Sequence, residues 1–177
     1  MLTSTNFSGL INQRFFKNFL PIPACSRLNI GDRAPDFHLL HVQSKEMVTL
    51  SDYWGKQPVV LAFTRIFTEN QYCPLCFPHI VALNKASKRL QAKGAAVLLI
   101  TSTDERQSQI VQRDLGLEIP LLSNPSCQVF RRYGTGQALG APLPAQFVLD
   151  RQGNVVYRHL FSFLDANART EQLLKYL

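Results

Sequence analysis

Two uninterrupted apolar runs stand out in the pattern of hydrophobic and polar positions, one within residues 57–64 and one over residues 95–101. Runs of this kind are typical of strands that are buried on both faces of a mainly parallel sheet. Each run precedes a segment with helical spacing that ends at a glycine, within residues 80–94 and 104–116 respectively. The pattern therefore predicts an alternation of strand, helix, strand and helix.

The flanking sequence adds further elements to the same predicted sheet. They are strands at residues 37–42, 47–50, 146–149 and 155–159 and helices at residues 126–133 and 165–176, the last of which Asp165 is predicted to cap. Asp150-Arg151-Gln152-Gly153 separates the last two strands as a hairpin turn. The predicted fold class is α/β, with a central mixed β-sheet covered by helices on both faces.

The N-terminal residues are predicted to form a separate extension. Apolar side chains recur near helical spacing, so residues 5–19 are predicted to form an amphipathic helix followed by a linker. We expect an extension over residues 1–29 and one domain over residues 30–177. Pro21 and Pro23 argue against a secretory signal. Cytoplasmic localisation is expected, and organelle targeting or export through the extension is the alternative.

Composition and charge exclude several classes of protein. The formal net charge is +7, of which residues 1–30 carry +3 without an acid, and the remaining +4 is diffuse. A diffuse excess does not predict a nucleic-acid surface. No apolar stretch is long enough for stable membrane insertion, and four cysteines are too few for a disulfide scaffold in a chain of 177 residues.

The candidate chemistry lies in Cys73-Pro74-Leu75-Cys76, which follows a buried strand and opens a helical segment. At a helix N-terminus, free N–H groups favour thiolate over thiol, so Cys73 is the candidate nucleophile. Cys76, one helical turn away, would resolve the Cys73 adduct as an internal disulfide. Inert buried thiols and a metal site that includes His79 are the alternatives. No second ligand pair supports a metal, and no cofactor is expected.

Several short motifs identify a family resemblance. They are 31–37 (GDRAPDF), 50–52 (LSD) with Gly55-Lys56, the cysteine motif, 120–125 (PLLSNP), and 147–150 (FVLD) with Gly153. Together they resemble the thioredoxin-like superfamily, and specifically its peroxiredoxin-like branch, the alkyl hydroperoxide reductase and thiol-specific antioxidant group. The resemblance covers residues 30–177 and implies a thioredoxin-like fold and a thiol-dependent oxidoreductase.

One departure from the family bears on the substrate. Peroxiredoxins share a P-x-x-x-T-x-x-C motif, and counting back from Cys73 gives Asn70 and Ile66 in place of Thr and Pro. Arg65 and Thr68 are candidates to orient a peroxide and stabilise the thiolate instead. The competing interpretation of Arg65 is a surface ion pair with Glu69.

A second feature favours disulfide exchange. Leu143-Pro144 stands just before a predicted strand, where the resemblance to thioredoxins implies a cis-proline that faces the cysteines and shapes a substrate groove. The expected partner is a protein disulfide or a thiol electron donor such as a thioredoxin. Peroxide reduction is the alternative activity, and a redox-sensing binding module is the non-enzymatic alternative.

Overall fold

The computed structural model of the chain describes residues 9–177, and no helix within them is long and apolar enough to cross a bilayer. The helices and strands are, in chain order, α1 (Gln13–Lys17), β1 (His38–His41), β2 (Met47–Thr49), a 3₁₀ helix (Leu50–Tyr53), β3 (Val59–Phe63), β4 (Ile66–Thr68), β5 (Gln71–Tyr72), α2 (Phe77–Lys85), α3 (Ser87–Ala92), β6 (Ala96–Thr101), α4 (Glu105–Asp114), β7 (Leu121–Ser123), α5 (Gln128–Arg132), β8 (Gln137–Ala138), β9 (Ala141–Pro142), β10 (Ala145–Leu149), β11 (Val155–Leu160) and α6 (Thr170–Leu174).

The centre of the fold is a mixed sheet in the order β11-β10-β3-β6-β7-β1-β2. β3 pairs with β6 and β6 with β7 in parallel, whereas β10, β11, β1 and β2 join antiparallel. The hairpins β4–β5 and β8–β9 lie outside this sheet. The predicted α/β class and central mixed sheet are confirmed.

Side chains of β3 enter both cores of the domain, which explains its uninterrupted apolar run. Leu61 and Phe63 belong to one core, together with residues of α5, whereas Val60 and Ala62 belong to the other, which α2, α3, α4 and α6 cover. The Phe63 ring lies 5.1 Å from the Phe130 ring, centroid to centroid. Burying each large apolar side chain stabilises the fold by about 1.5–3 kcal/mol. Helices thus cover both faces, as predicted.

Two predicted helices differ in extent from the observed ones. The helix expected within residues 80–94 is two helices, because Ala86 closes α2 and opens α3. The final helix begins at Thr170, and the prediction that Asp165 caps it was wrong. The N–H of Asp165 instead donates to Ser162 Oγ at 3.0 Å in a turn that precedes the helix.

The N-terminal extension packs on the domain. Of the predicted helix 5–19, residues 5–8 lie outside the described residues, and the observed helix α1 begins after Asn12, whose Oδ1 accepts from the Phe15 N–H at 3.0 Å. Ile22 and Gln137 exchange two backbone hydrogen bonds of 2.8 Å. The extension therefore supports the segment that carries β8 and β9, while the boundary at residue 29 stays a prediction.

Arg14 connects this extension to the β4–β5 hairpin. Its guanidinium donates to the Phe67 carbonyl and, at 3.2 Å, to Ser102 Oγ at the end of β6. Burial lowers the pKa of Arg14, although Cys127 and Asp104 lie close enough to oppose that effect. The extension thus touches the loops at one end of the sheet.

We predict that Gly136→Ala destabilises the protein more than Gly94→Ala does. Both glycines have a positive φ, +77° and +76°, but a Cβ at Gly136 would lie 2.6 Å from the Ala24 nitrogen, whereas Gly94 faces open space. The left-handed backbone alone costs about 1–2 kcal/mol, and displacing the packed extension adds about 1–3 kcal/mol. Urea unfolding measures both free energies. Equal losses would show that the extension does not press on this segment.

Candidate functional site

Cys73 and Cys76 occupy a tight turn between β5 and α2. The N–H groups of Cys76 and Phe77 donate to the Cys73 carbonyl at 2.9 and 3.0 Å. Cys76 is the N-cap of α2, whose first residue is Phe77, so Cys73 lies one turn ahead of the helix and not at its first position. The sequence pattern predicts Cys73 at the helix N-terminus itself. The N–H groups that reach its sulfur belong instead to the turn, from Leu75 and Cys76.

The β4–β5 hairpin brings this turn to the carboxyl end of β3. Ile66 pairs with Tyr72, and the Cys73 N–H donates to the Arg65 carbonyl at 3.4 Å. Reactive groups of open α/β sheets collect at this edge, beyond the carboxyl ends of the parallel strands. The hairpin therefore holds Cys73 beside Arg65, with only 6% of the cysteine exposed.

The pKa of Cys73 is lowered to about 6. The largest cause is a hydrogen bond from the Cys76 thiol, which outweighs the opposing effect of burial. Hydrogen bonds from the N–H groups of Leu75 and Cys76 and the positive charge of Arg65 lower it further. At neutral pH the thiolate of Cys73 therefore predominates, which is the ionised form that attacks electrophilic sulfur or oxygen.

The pKa of Cys76 is raised. Its thiol donates to Cys73 and is fully buried, and the negative charge of Cys73 also favours the protonated form. The Arg65 N–H and the Asn167 side chain act in the opposite direction, as donors to the Cys76 sulfur. Cys73 therefore ionises more readily than Cys76, as expected if Cys73 attacks and Cys76 resolves.

Arg65 is buried beside the cysteines and does not form the ion pair considered from the sequence. Its guanidinium donates to the Ala138 carbonyl and lies 4.7 Å from the centre of the Phe67 ring. Its Nε has no hydrogen-bond partner among the described residues. Glu69 pairs with Arg106 at 2.7 Å, so the interpretation of Arg65 as a surface partner of Glu69 was wrong.

Thr68 lies at the far end of the same hairpin. Its Oγ1 accepts from the Asn70 N–H at 3.3 Å, within the turn that joins β4 to β5. Thr68 follows Arg65 by three residues, which is roughly 10 Å along an extended strand. The hairpin thus brings Arg65 to Cys73 but carries Thr68 away from it.

Pro144 lies buried at the entry to β10. Ala145 pairs with Phe63, so Pro144 lies beside the chain that leaves β3 toward Arg65. No peptide bond within residues 9–177 is cis, and the prediction of a cis bond before Pro144 was wrong. The Leu143 N–H donates to the Gly136 carbonyl at 3.0 Å, which ties the chain before Pro144 to the β8–β9 segment. A trans bond is also the lower-energy form for most residues before proline.

Two amides at this site, those of Gln146 and Asn167, are not predicted from the sequence. The Asn167 Nδ2 donates to the Leu75 carbonyl at 3.0 Å, and its Oδ1 accepts from Gln146 Nε2 at 2.9 Å. Gln146 is fully buried although it lies in a strand that is otherwise apolar. A polar residue in such a strand is the signal that could have pointed to this contact, because buried polar groups need partners.

His79 is another buried polar residue near the turn. It is 8% exposed, and neither ring nitrogen has a hydrogen-bond partner in the described part of the chain. Burial lowers its pKa to about 4, so the ring is neutral at physiological pH. Within residues 9–177, no three His, Cys, Asp or Glu side chains converge as a set that could hold a metal ion.

Comparison with known proteins gives two kinds of relative. The family model described as AhpC/TSA matches residues 30–158. Peroxiredoxin tpx1 of Schizosaccharomyces pombe is 33% identical over 137 residues, which are 71% of this chain and 68% of that protein. The thiol-disulfide oxidoreductase ResA of Bacillus anthracis is 26% identical over 151 residues, which are 84% of this chain and 79% of that protein.

Solved structures support the same fold. The peroxidoxin BcpB of Mycobacterium tuberculosis superposes with a TM-score of 0.70 at 21% identity, over 85% of this chain and 96% of that chain. The crystal structure of AhpC from Enterococcus faecalis gives a TM-score of 0.71 at 17% identity, over 84% of this chain and 90% of that chain. These similarities show that the domain has the thioredoxin-like fold of peroxiredoxins.

We predict that brief alkylation of the reduced protein labels Cys73 before Cys76. The rate should rise with pH through about 6, where Cys73 ionises, and then level off, because only the thiolate reacts. Arg65→Ala should move this midpoint upward by roughly one pH unit, because a nearby positive charge favours the thiolate. Mass spectrometry of the labelled peptide measures the order and the rate.

Arg106→Ala is the matched control for this experiment. Arg106 is exposed and pairs with Glu69, so its removal should leave the alkylation midpoint unchanged. Circular dichroism verifies that both variants fold. Labelling of Cys76 before Cys73 would reverse the roles assigned to the two sulfurs.

Proposed function

The chain belongs to the AhpC/TSA family, and on that premise we propose that Cys73 and Cys76 catalyse thiol–disulfide exchange with a protein substrate. Its relatives include peroxiredoxins and thiol–disulfide oxidoreductases, so it is a thiol-dependent oxidoreductase. The main support for the proposal is the difference in pKa between the two thiols. The pKa of Cys73 is lowered to about 6, whereas that of Cys76, in the same turn, is raised, so Cys76 keeps its proton.

The proposed reaction has two displacement steps. The Cys73 thiolate attacks one sulfur of the partner disulfide, a Cys73–partner bond forms, and the other partner sulfur leaves with the electron pair. The Cys76 thiol then loses its proton to solvent and attacks the Cys73 sulfur. The Cys73–partner bond breaks, and the second partner sulfur leaves as a thiolate. Two electrons pass from the dithiol to the partner, and a thiol donor such as a thioredoxin restores the pair.

The surface next to the motif suits a polypeptide partner. Leu75, inside the motif, is 53% exposed, and Phe77 is 37% exposed directly after it. Phe163 and Leu164 are nearly fully exposed in the loop whose Asn167 binds Leu75. An apolar rim of this kind favours contact with another protein over contact with a molecule as small as hydrogen peroxide.

Peroxide reduction is the second candidate function, and Arg65 favours it. The guanidinium is buried beside Cys73, and its Nε has no hydrogen-bond partner within the described residues. A donor of this kind can stabilise charge on a peroxide oxygen, and one well-placed donor is worth on the order of 3 kcal/mol. The family's Thr and Pro positions hold Asn70 and Ile66, however, and Thr68 points to a local contact.

We predict that the reduced protein reacts with hydrogen peroxide no faster than an ordinary thiolate of the same pKa but reduces insulin disulfides efficiently. Stopped-flow kinetics with peroxide and a turbidity assay with insulin give the two rates. Cys73→Ser should abolish both reactions, because it removes the attacking sulfur. Cys127→Ser should retain both, because Cys127 is buried and burial raises its pKa.

The opposite ratio of rates would favour the second candidate. Should peroxide oxidise Cys73 orders of magnitude faster than a free thiolate, and should Arg65→Ala remove that excess in a folded protein, peroxide reduction would replace disulfide exchange. Loss of all activity in folded Cys127→Ser would contradict the assignment of the reaction to the Cys73/Cys76 pair.

A further inference from the structure

Gln146 places a fully buried amide in the central sheet, and its two ends are fixed by different partners. Its Oε1 accepts from the Ala168 N–H at 2.7 Å, and its Nε2 donates to Asn167 Oδ1 at 2.9 Å. Because a backbone N–H can only donate, the first contact determines which end of the Gln146 amide is oxygen. The Nε2 group must therefore face Asn167.

The same logic orients Asn167. Its oxygen is occupied by Gln146, so its NH₂ group faces the redox turn, where it donates to the Leu75 carbonyl at 3.0 Å. An NH₂ group carries two hydrogens, so one remains for a second acceptor next to Leu75, and Cys76 is the residue that follows Leu75 in the turn. The chain of hydrogen bonds that begins at Ala168 thus ends in the redox turn, one residue from the second sulfur of the motif.

We propose that Asn167 is a catalytic residue that donates a hydrogen bond to the Cys76 sulfur as this sulfur loses its proton and attacks Cys73, with Gln146 as its positioning residue. The proposal rests on the proposed function, because it assigns Asn167 to the second displacement. In that step the Cys76–Cys73 bond forms, the Cys73–partner bond breaks, the partner sulfur takes the electron pair, and the Cys76 proton passes to solvent.

The need for such a donor arises only after the first displacement. In the reduced protein the Cys76 thiol donates to the Cys73 thiolate, which holds the proton on Cys76. Once Cys73 is joined to a partner, its sulfur is neutral and no longer accepts strongly. The donors next to the Cys76 sulfur are then the Arg65 backbone N–H and the NH₂ group that Asn167 turns toward Leu75, and both favour its thiolate form. Of these, only the Asn167 donor can be removed by substitution.

The chromogenic disulfide DTNB separates the two steps in one experiment. Attack by Cys73 releases one equivalent of coloured thiolate, and resolution by Cys76 releases a second. A Cys25→Ser background removes the one exposed cysteine of the described residues, whereas Cys127 is buried and reacts slowly. Asn167→Ala should leave the first release rate unchanged and slow the second about tenfold or more, since hydrogen bonds to charged groups contribute strongly.

Asn167→Asp tests the donor with little change in shape. An aspartate oxygen still accepts from Gln146, but an ionised carboxylate cannot donate to Leu75 or Cys76. Its negative charge also disfavours the thiolate of both cysteines, so the rates are compared at a pH well above the Cys73 midpoint of this variant, where the second release should fall further than the first. This variant decides the question if Asn167→Ala fails to fold.

Asn84→Ala is the matched control. Asn84 lies on α2, the helix whose N-cap is Cys76. Like Asn167 it donates to a loop carbonyl, that of Gly116, at 3.1 Å. Its loss should lower stability without changing either release rate.

Two results would overturn the proposal. One is an unchanged second release in a folded Asn167 variant, and the other is an equal slowing of both releases, which would indicate a loosened turn. Release of only one equivalent by the parent protein would instead contradict the proposed function, because Cys76 would not resolve the adduct.

Discussion

The division of roles between the two cysteines depends on one hydrogen bond, from the Cys76 thiol to the Cys73 sulfur. Two thiolates this close in a buried site would repel each other, so one proton is kept on the pair. The turn decides which sulfur keeps it, because the N–H groups of Leu75 and Cys76 reach Cys73. The same bond disappears when Cys73 forms an adduct, and this frees Cys76 for the second step.

The rest of the fold positions that pair. β3 is buried in both cores and ends where the β4–β5 hairpin begins, so the hairpin is anchored at the carboxyl edge of the sheet. Arg65, at this junction, donates to the Ala138 carbonyl, and the N-terminal extension in turn packs on the segment around Gly136 and Gly140. Gln146 in turn holds Asn167 against Leu75. Side chains from β10 and from the loop before α6 thus support the redox turn in addition to the hairpin.

The sequence predicted those features that depend on local pattern. The runs at β3 and β6 are uninterrupted because both faces of each strand are buried, and such burial leaves a clear signal in the chain. The cysteine spacing likewise placed both sulfurs in one turn. The β4–β5 hairpin, with strands of three and two residues, is too short to give a periodic pattern.

The features that the sequence did not predict depend on distant partners. Glu69 binds Arg106 from α4 and not the nearby Arg65. The loop before α6 is fixed by Gln146, so Asp165 does not cap that helix. The peptide bond before Pro144 is trans, and the segment that contains it packs on Gly136 and on the N-terminal extension. Each of these outcomes follows from contacts between residues that lie far apart in the chain.

Peptide mapping of the oxidised protein shows whether Cys73 and Cys76 form one disulfide. The protein is treated with a stoichiometric disulfide oxidant, its remaining thiols are alkylated, and its tryptic peptides are weighed. We expect an internal Cys73–Cys76 disulfide, seen as an unalkylated peptide that is lighter by two hydrogens, together with alkylated Cys25 and Cys127. A stable mixed disulfide between Cys73 and the oxidant with an alkylated Cys76, or a disulfide that joins Cys73 to Cys25 or Cys127, would contradict this pairing.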